Sequence, residues 1–401
     1  MSKIQEKRLQ QAEINIGMVG HVDHGKTMLT KALTGVMTDT HSEELKRGIS
    51  IRLGYADAIF RKCPKCKGDE AYTTSEICKI CGSKTVPLRR VSFVDAPGHE
   101  TLMATMLSGA ALLQGAVLVI AANEKCPQPR TAEHLAALKI AGVKNIVVAQ
   151  NKIDLVNKEK ALENYNQIKK FLSENGYGNA PVIPTSATYG VNIDFLIAAI
   201  ERTIPTPEYD LTKPLKMYVV RSFDINRPGT KPENFKGGVL GGSIMCGKAK
   251  AGEEIEIAPG FGKRILTQIS SLSTSTGIIE EAHPGGLIAI GTPLDPRLTR
   301  NDQMRGQIVA KPGILPAEVN ELRLELHYLD RLLIKIPEFR TNDAVIATIG
   351  TATNLGIITN CRHDYIEIKL KMPAIVEKGQ KIALSKKTES GWRLAAYGKV
   401  L

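Results

Sequence analysis

The sequence predicts an α/β domain carrying a phosphate-binding loop and a small cysteine-rich insert, followed by two all-β barrel domains. Up to about residue 204, short β-branched apolar runs alternate with amphipathic stretches of helical length. Strand, helix, strand at that rhythm means a parallel sheet covered on both faces. Beyond residue 206 the helical period almost vanishes, and short apolar runs are separated by glycine and proline turns, the pattern of barrels. The length of 401 residues suits two or three domains rather than one.

In the α/β part, strand-like runs lie at 14–19, 91–94, 116–121, 146–150 and 182–184, and helical patterns at 26–33, 101–113, 131–140, 158–173 and 192–204. Residues 51–59 instead alternate, with Ile51, Leu53 and Tyr55 on one side, as an exposed edge strand does. Pro205, Pro207 and Pro214 bracket a turn-rich linker, and Lys311-Pro-Gly-Ile-Leu-Pro316 marks a second break. The expected domains are therefore 1–205, with the insert at 61–88, then 206–316 and 317–401. Strands are expected at 217–220, 238–245, 253–257, 286–290 and 307–310 in the second domain. In the third they are expected at 322–326, 343–349, 356–359, 365–370 and 381–385.

A composition of 43% hydrophobic and 23% charged residues excludes disordered tails and fibrous repeats. No apolar run reaches the ~20 residues of a membrane span, and MSKIQEKRLQQAE carries no apolar stretch behind its positive charges. Neither a span nor a secretory leader is expected, and the cytoplasm is the expected compartment. The net charge of +12 attracts polyanions by counterion release, so RNA or the ribosome is an expected partner if the charges cluster.

Four of the seven cysteines form Cys63-Pro-Lys-Cys66 and Cys78-Lys-Ile-Cys81. Two facing CxxC turns build the four-sulfur cage that zinc favours, closed to water and therefore structural. The alternatives are two disulfides, which a reducing cytosol opposes, and a metal-free knuckle. Cys126, Cys246 and Cys361 stand alone as small hydrophobes.

GHVDHGKT at 20–27 satisfies GxxxxGK[ST] between a buried strand and a helix. Its glycines let backbone N–H groups close around phosphate oxygens, Lys26 neutralises the β- and γ-phosphates, and the Thr27 hydroxyl ligates magnesium. Asp95-Ala-Pro-Gly98 ends a strand beside this loop, so Asp95 can hold magnesium through water and Gly98 can approach the γ-phosphate. Asn151-Lys-Ile-Asp154 follows another strand, and its carboxylate can accept both the N1–H and the exocyclic amino group of guanine. Adenine lacks that pair of donors, so the nucleotide is GTP. Ser186-Ala187 is placed for backbone contacts to the guanine oxygen. Residues 38–50 read as a loop ordered by γ-phosphate and magnesium, with Ser50 as the hydroxyl ligand. Asp23, a carboxylate in a phosphate cradle, either faces solvent or helps hold a metal. His99 is the candidate to orient the attacking water, while His21 and His24 read as loop packing.

GHVDHGKT at 20–27, RGISI at 47–51, DAPGH at 95–99 and NKID at 151–154 resemble the translational GTPases of the elongation factor Tu type. HSEELKRGISIRLGYAD at 41–57, the paired CxxC turns, ETLMATMLSGA at 100–110 and RSFDINRPGT at 221–230 resemble more closely the gamma subunits of archaeal translation initiation factor 2. The resemblance implies a GTP-controlled carrier of initiator methionyl-tRNA, acting with alpha and beta subunits on the small ribosomal subunit and its mRNA, with GTP hydrolysis triggering release. It implies nucleotide contacts at Asp23, His24, Gly25, Lys26, Thr27, Met28, Asn151, Lys152, Asp154, Ser186, Ala187 and Thr188. Lys26, Asp95, Gly98 and His99 take the catalytic positions. The magnesium positions are Thr27, Ser50 and Asp95, with Asp23 and the Gly48 carbonyl matching a further one, and Tyr55 adjoins bound tRNA.

Met28 and Ser50 stand where the superfamily usually has threonine, and the segments 260–266 and 333–340 look short for the family. Two rival readings remain: a carrier of another aminoacyl-tRNA, and a GTPase that activates a metabolic enzyme.

Overall fold

The computed structural model describes residues 9–38, 53–95, 103–227, 229–231, 236–329, 336–389 and 391–401. The first part is a seven-stranded sheet made of β1 (Asn15–Gly20), β2 (Gly54–Lys62), β3 (Tyr72–Thr73), β4 (Val86–Asp95), β5 (Gly115–Ala121), β6 (Asn145–Asn151) and β7 (Val182–Pro184), in the order β3-β2-β4-β1-β5-β6-β7. From β4 to β7 every pairing is parallel, and β2 joins antiparallel to β4. Every residue of β1 and β5 is buried, because helices cover both faces.

On one face α1 (Lys26–Thr34) and α5 (Ile193–Thr203) pack Leu29, Leu33, Leu196 and Ile200 on Ile16, Met18, Val117 and Val119. On the other, α2 (Met103–Ala110), α3 (Pro129–Ile140) and α4 (Lys158–Glu174) pack Leu107, Leu135, Leu138, Ile168 and Leu172 on Val19, Leu118, Ile120 and Val148. Burial alternates along β2 but in the opposite phase to the apolar pattern of the sequence, since Ala56, Ala58 and Phe60 are buried while Tyr55 and Ile59 are only half-buried, and β2 is not wholly an edge. Arg61 and Lys62 pair with β3, a strand supplied by the cysteine insert itself.

The second part is all-β apart from a short helix at Pro296–Thr299. Its eight-stranded antiparallel sheet curls around Met217, Val219, Leu240, Ile244, Ile257, Leu272, Ile290 and Val309. The strands Ile265–Gln268, Ser271–Thr274 and Gly277–Ile279 escaped the sequence reading; they are short and carry threonine, serine and glycine among few apolar residues.

The third part is a closed barrel of six antiparallel strands, Val319–Tyr328, Ala344–Ile349, Ala352–Cys361, Tyr365–Ala374, Lys381–Thr388 and Gly391–Val400. The closing strand, Gly391–Val400, is the one the sequence reading missed. It bonds to both Lys381–Thr388 and Val319–Tyr328, so both of its edges are consumed and its propensity-poor glycines and alanines are tolerated.

Side chains join the three parts. Asn15 Nδ2 donates to Ser243 Oγ at 2.9 Å, and Arg305 to Ser108 Oγ at 2.8 Å. Ala383 and Leu394 of the barrel enter the same apolar cluster as α3, while Ile308 and Leu315 meet Ile375. Among the described residues no helix is long and apolar enough to cross a membrane.

Candidate active site and metal centre

The phosphate loop runs from the end of β1 to the start of α1. It turns through left-handed backbone at Asp23 (φ 60°) and Gly25 (φ 89°). A Cβ at Gly25 would lie 2.4 Å from Asn151 Nδ2, so only glycine fits there. Lys26 is buried, and its Nζ donates to the His21 carbonyl at 2.7 Å within the loop. The Gly20 N–H donates to His134 Nδ1 at 3.0 Å, anchoring the loop on α3.

His24 points away from the phosphate side. Its Nδ1 meets the Val119 carbonyl at 3.1 Å and its Nε2 meets Glu124 at 3.3 Å. Burial pushes its pKa down to about 4, and burial likewise lowers those of His21 and His134. These imidazoles are thus neutral at pH 7 and pack the loop. Met28 and Asp23 are exposed at its rim.

Asp95 is fully buried at the end of β4, where Oδ2 accepts from Thr27 Oγ1 at 2.8 Å and from Thr38 Oγ1 at 2.7 Å. Hydroxyl and carboxylate oxygens gathered at the loop are the hard donors magnesium takes. Thr38 was not singled out from the sequence; a hydroxyl at the first position of a polar loop was the available signal. The packing is close, since a Cβ on Gly54 would lie 2.6 Å from Thr38 Cβ. Gly48, Ser50, Gly98 and His99 lie outside the described residues.

On the base side, Asn151 joins two loops. Its Nδ2 donates to the His24 carbonyl at 2.9 Å, and its Oδ1 accepts from the Ala187 N–H at 3.1 Å. Lys152 takes a left-handed turn (φ 62°) into the short 3-10 turn Ile153–Leu155, which leaves Asp154 exposed. Ser186 and Ala187 are buried, and Thr188 is exposed. Phosphate loop, NKID turn and Ser186-Ala187 therefore share one edge of the sheet, at the carboxyl ends of its parallel strands. We expect Asp154→Asn to weaken GTP binding about tenfold to a hundredfold and to favour xanthosine triphosphate, because an amide replaces an acceptor. Competition titration checks this, and an unchanged preference for GTP would assign base recognition to another residue.

Tyr55 is turned into the contact with the second part of the chain. Its hydroxyl is buried with no hydrogen-bond partner among the described residues. Burial holds its pKa far above the usual phenol range, against the pull of Arg305 and Arg221. The resemblance sets Tyr55 beside bound tRNA, and the hydroxyl lies covered at the contact with the second part, near Arg221 and Arg305. The side chain lines a cavity of about 200 Å³ with Arg221, Phe223, Gly241, Ser273 and Ala289.

The four insert cysteines converge, with all sulfurs within 4.8 Å of one another. Cys63 and Cys81 lie 3.5 Å apart, and Cys66 and Cys78 3.8 Å. A tetrahedral cage with Zn–S bonds of ~2.3 Å needs sulfurs ~3.8 Å apart, so the geometry fits, whereas disulfides at ~2.05 Å do not. The thiols are free. Hydrogen bonding from Ser83 pushes Cys81 down to about 6, and the backbone N–H groups of Cys81 and Ile80 lower Cys78, both toward the thiolate that binds metal. Cys66 instead is pushed up to about 12 by its Cys81 and Cys63 neighbours. Reduced protein should carry one zinc per chain by metal analysis, and Cys63→Ser or Cys81→Ser should release it. Retained zinc in either variant would place the metal elsewhere.

Residues 11–206 match the elongation factor Tu GTP binding domain family, and residues 320–400 match the initiation factor eIF2 gamma C-terminal family. Translation initiation factor 2 subunit gamma of Pyrococcus horikoshii is 54% identical over 408 residues, covering 98% of this chain and 98% of that protein. The chain belongs to the translation initiation factor 2 gamma-subunit family. The family member of Methanocaldococcus jannaschii is likewise 54% identical over 409 residues, covering 98% of this chain and 99% of its own length. Among solved structures, bacterial selenocysteine-specific elongation factor EF-Sec superposes with a TM-score of 0.76 at 26% identity. The match covers 97% of this chain and 58% of that one. The translation elongation factor SelB of Methanococcus maripaludis, at 21% identity and a TM-score of 0.74, shares the fold. As a member of the gamma-subunit family, this protein is a GTP-dependent translation initiation factor subunit and a translational GTPase.

Proposed function

We propose that the protein carries initiator methionyl-tRNA to the small ribosomal subunit while GTP is bound, and releases it after hydrolysis. It acts in the cytoplasm as the gamma member of a complex with alpha and beta subunits. The observation that carries this reading is the pair of bonds on Asp95. One buried carboxylate holds Thr27 of the phosphate loop and Thr38, which opens the segment leading to β2. Any change in what Asp95 and Thr27 hold is thereby passed to the chain that enters β2, and β2 carries Tyr55 to the second domain.

Lys26 neutralises the β- and γ-phosphates, Asp154 reads guanine, and Asn151 keeps the two loops in register. Thr27 and Asp95 would hold magnesium, which compensates charge on the phosphates. Ser50, Gly48, Gly98 and His99 take their proposed roles from the family resemblance. The proposed domains are 1–205, 206–316 and 317–401, a reading that the family matches at 11–206 and 320–400 support for the first and last. The cavity beside Tyr55 is the proposed seat of the acyl end of the tRNA, being largely apolar with one arginine at its wall.

The test is protection of methionyl-tRNA from deacylation, with alpha and beta subunits supplied, in GTP and in GDP. Slower deacylation with GTP is expected. Equal protection by both nucleotides would sink the switch, and stronger protection of an elongator tRNA would reassign the cargo.

A further inference from the structure

The cysteine insert is a second, unassigned feature of the surface. β2 and β4 run antiparallel, with Gly54 opposite Asp95 and Lys62 opposite Val86. Eight residue steps of ~3.3 Å put the insert roughly 26 Å from the carboxylate of the nucleotide site. Between residues 61 and 88 there are six lysines and arginines against three acids. Two of those acids are already engaged, Glu76 by Arg61 and Asp69 by Arg202.

Among the described residues no ion pair engages Lys65, Lys67, Lys79 or Lys84, and all four are exposed. Lys65 and Lys79 each sit inside a CxxC turn, and the convergence of the four sulfurs forces those two turns together. Lys67 follows the first turn directly, and Lys84 faces Ile77 across an isolated bridge. The same tip exposes Ile77 and Ile80 at 55% and 59%. Four lysine charges are thus gathered on one small knob, which is the clustering that net charge alone does not establish.

We propose that this knob is an RNA-backbone contact surface, separate from the nucleotide-controlled surface and insensitive to which nucleotide is bound. Lysine is a compact point charge suited to phosphate, and the one nearby aromatic ring, Tyr72, is covered by Lys62 at 4.8 Å. The contact therefore reads phosphate and ribose, not base, with the two isoleucines lying against sugar. A protein partner fits less well, since stable protein interfaces take ~20–30 residues a side and the tip offers far fewer. The four lysines also offset the excess negative charge of a zinc–thiolate cage, so a purely metal-retaining role is the competing explanation.

The experiment compares the full-length chain with a variant carrying Lys65→Gln, Lys67→Gln, Lys79→Gln and Lys84→Gln. A control carries Lys158→Gln, Lys160→Gln, Lys378→Gln and Lys387→Gln, the same change of net charge at exposed positions elsewhere. The probe is a labelled RNA duplex of about 20 base pairs and arbitrary sequence, followed by anisotropy across a salt series with GDP and with a GTP analogue. The knob variant is expected to lose about tenfold in affinity at low salt and about three units of salt slope, equally in both nucleotide states, with zinc and GTP binding intact. An equal loss in the control makes the effect one of net charge and overturns the proposal. So does loss of zinc from the knob variant, unchanged RNA affinity, or a loss confined to one nucleotide state. The methionyl-tRNA test stands or falls independently, since it reads the difference between nucleotides.

Discussion

Lys26→Ala is expected to abolish binding of both GTP and GDP at micromolar concentrations, a loss of at least about a hundredfold. The side chain is buried at the mouth of α1 and its ammonium already lies inside the loop, bonded to the His21 carbonyl. It is therefore placed before the ligand arrives, and little ordering cost is charged to binding. Each hydrogen bond from a cation to an ionised oxygen is worth about 1.5–3 kcal/mol, and the ammonium serves two phosphates. His21, His24 and His134 surround the loop, but burial keeps all three neutral at pH 7. Titration with a fluorescent guanine nucleotide checks the loss, and a change of less than threefold would show that the loop's N–H groups carry the affinity alone. The fold should survive, because the loop remains anchored by Gly20 on His134 and by His24 on Asn151.

Much of the nucleotide site was legible in the sequence because phosphate and guanine impose residue types at short spacing. Gly25, Lys26 and Thr27 must follow one another at a helix start, and Asp154 must follow Asn151 by three. Contacts between distant segments were not legible. Nothing local to Asn151 announces that it holds both the His24 carbonyl and the Ala187 N–H, and nothing local to Thr38 announces Asp95. Tyr55 was read from its own strand, whereas its surroundings are set by Arg221, Arg305 and Asp302, more than 160 positions away. The barrel's last strand was hidden for a related reason. Gly391, Ala395, Ala396 and Gly398 argue locally against a strand, and only the two neighbours of that strand make it one.

The largest stability effect is expected at a cluster invisible to any local reading. Arg130 and Glu133 of α3 and Arg393 of the last barrel strand are all fully buried, with Arg393 Nε donating to Glu133 at 2.7 Å and Arg130 pairing with the other oxygen. Burial raises the Glu133 pKa, while Arg130 and Arg393 oppose that rise and keep the charged form in play. Glu133→Ala removes the carboxylate that both guanidiniums share, beside the apolar cluster that holds Leu135, Leu138, Ala383 and Leu394. Removing one partner of a buried pair costs about 3–5 kcal/mol, so the variant should unfold several degrees earlier and its barrel should become susceptible to proteolysis first. Glu133→Gln, which keeps the shape and one acceptor, should cost less. Replacing all three residues by apolar ones of similar size should restore the melting temperature. If that triple variant is stable yet holds methionyl-tRNA equally with GTP and GDP, the cluster also transmits the nucleotide state. His134, next to Glu133 on the same helix, accepts from the first residue of the phosphate loop, so α3 touches both the loop and the barrel.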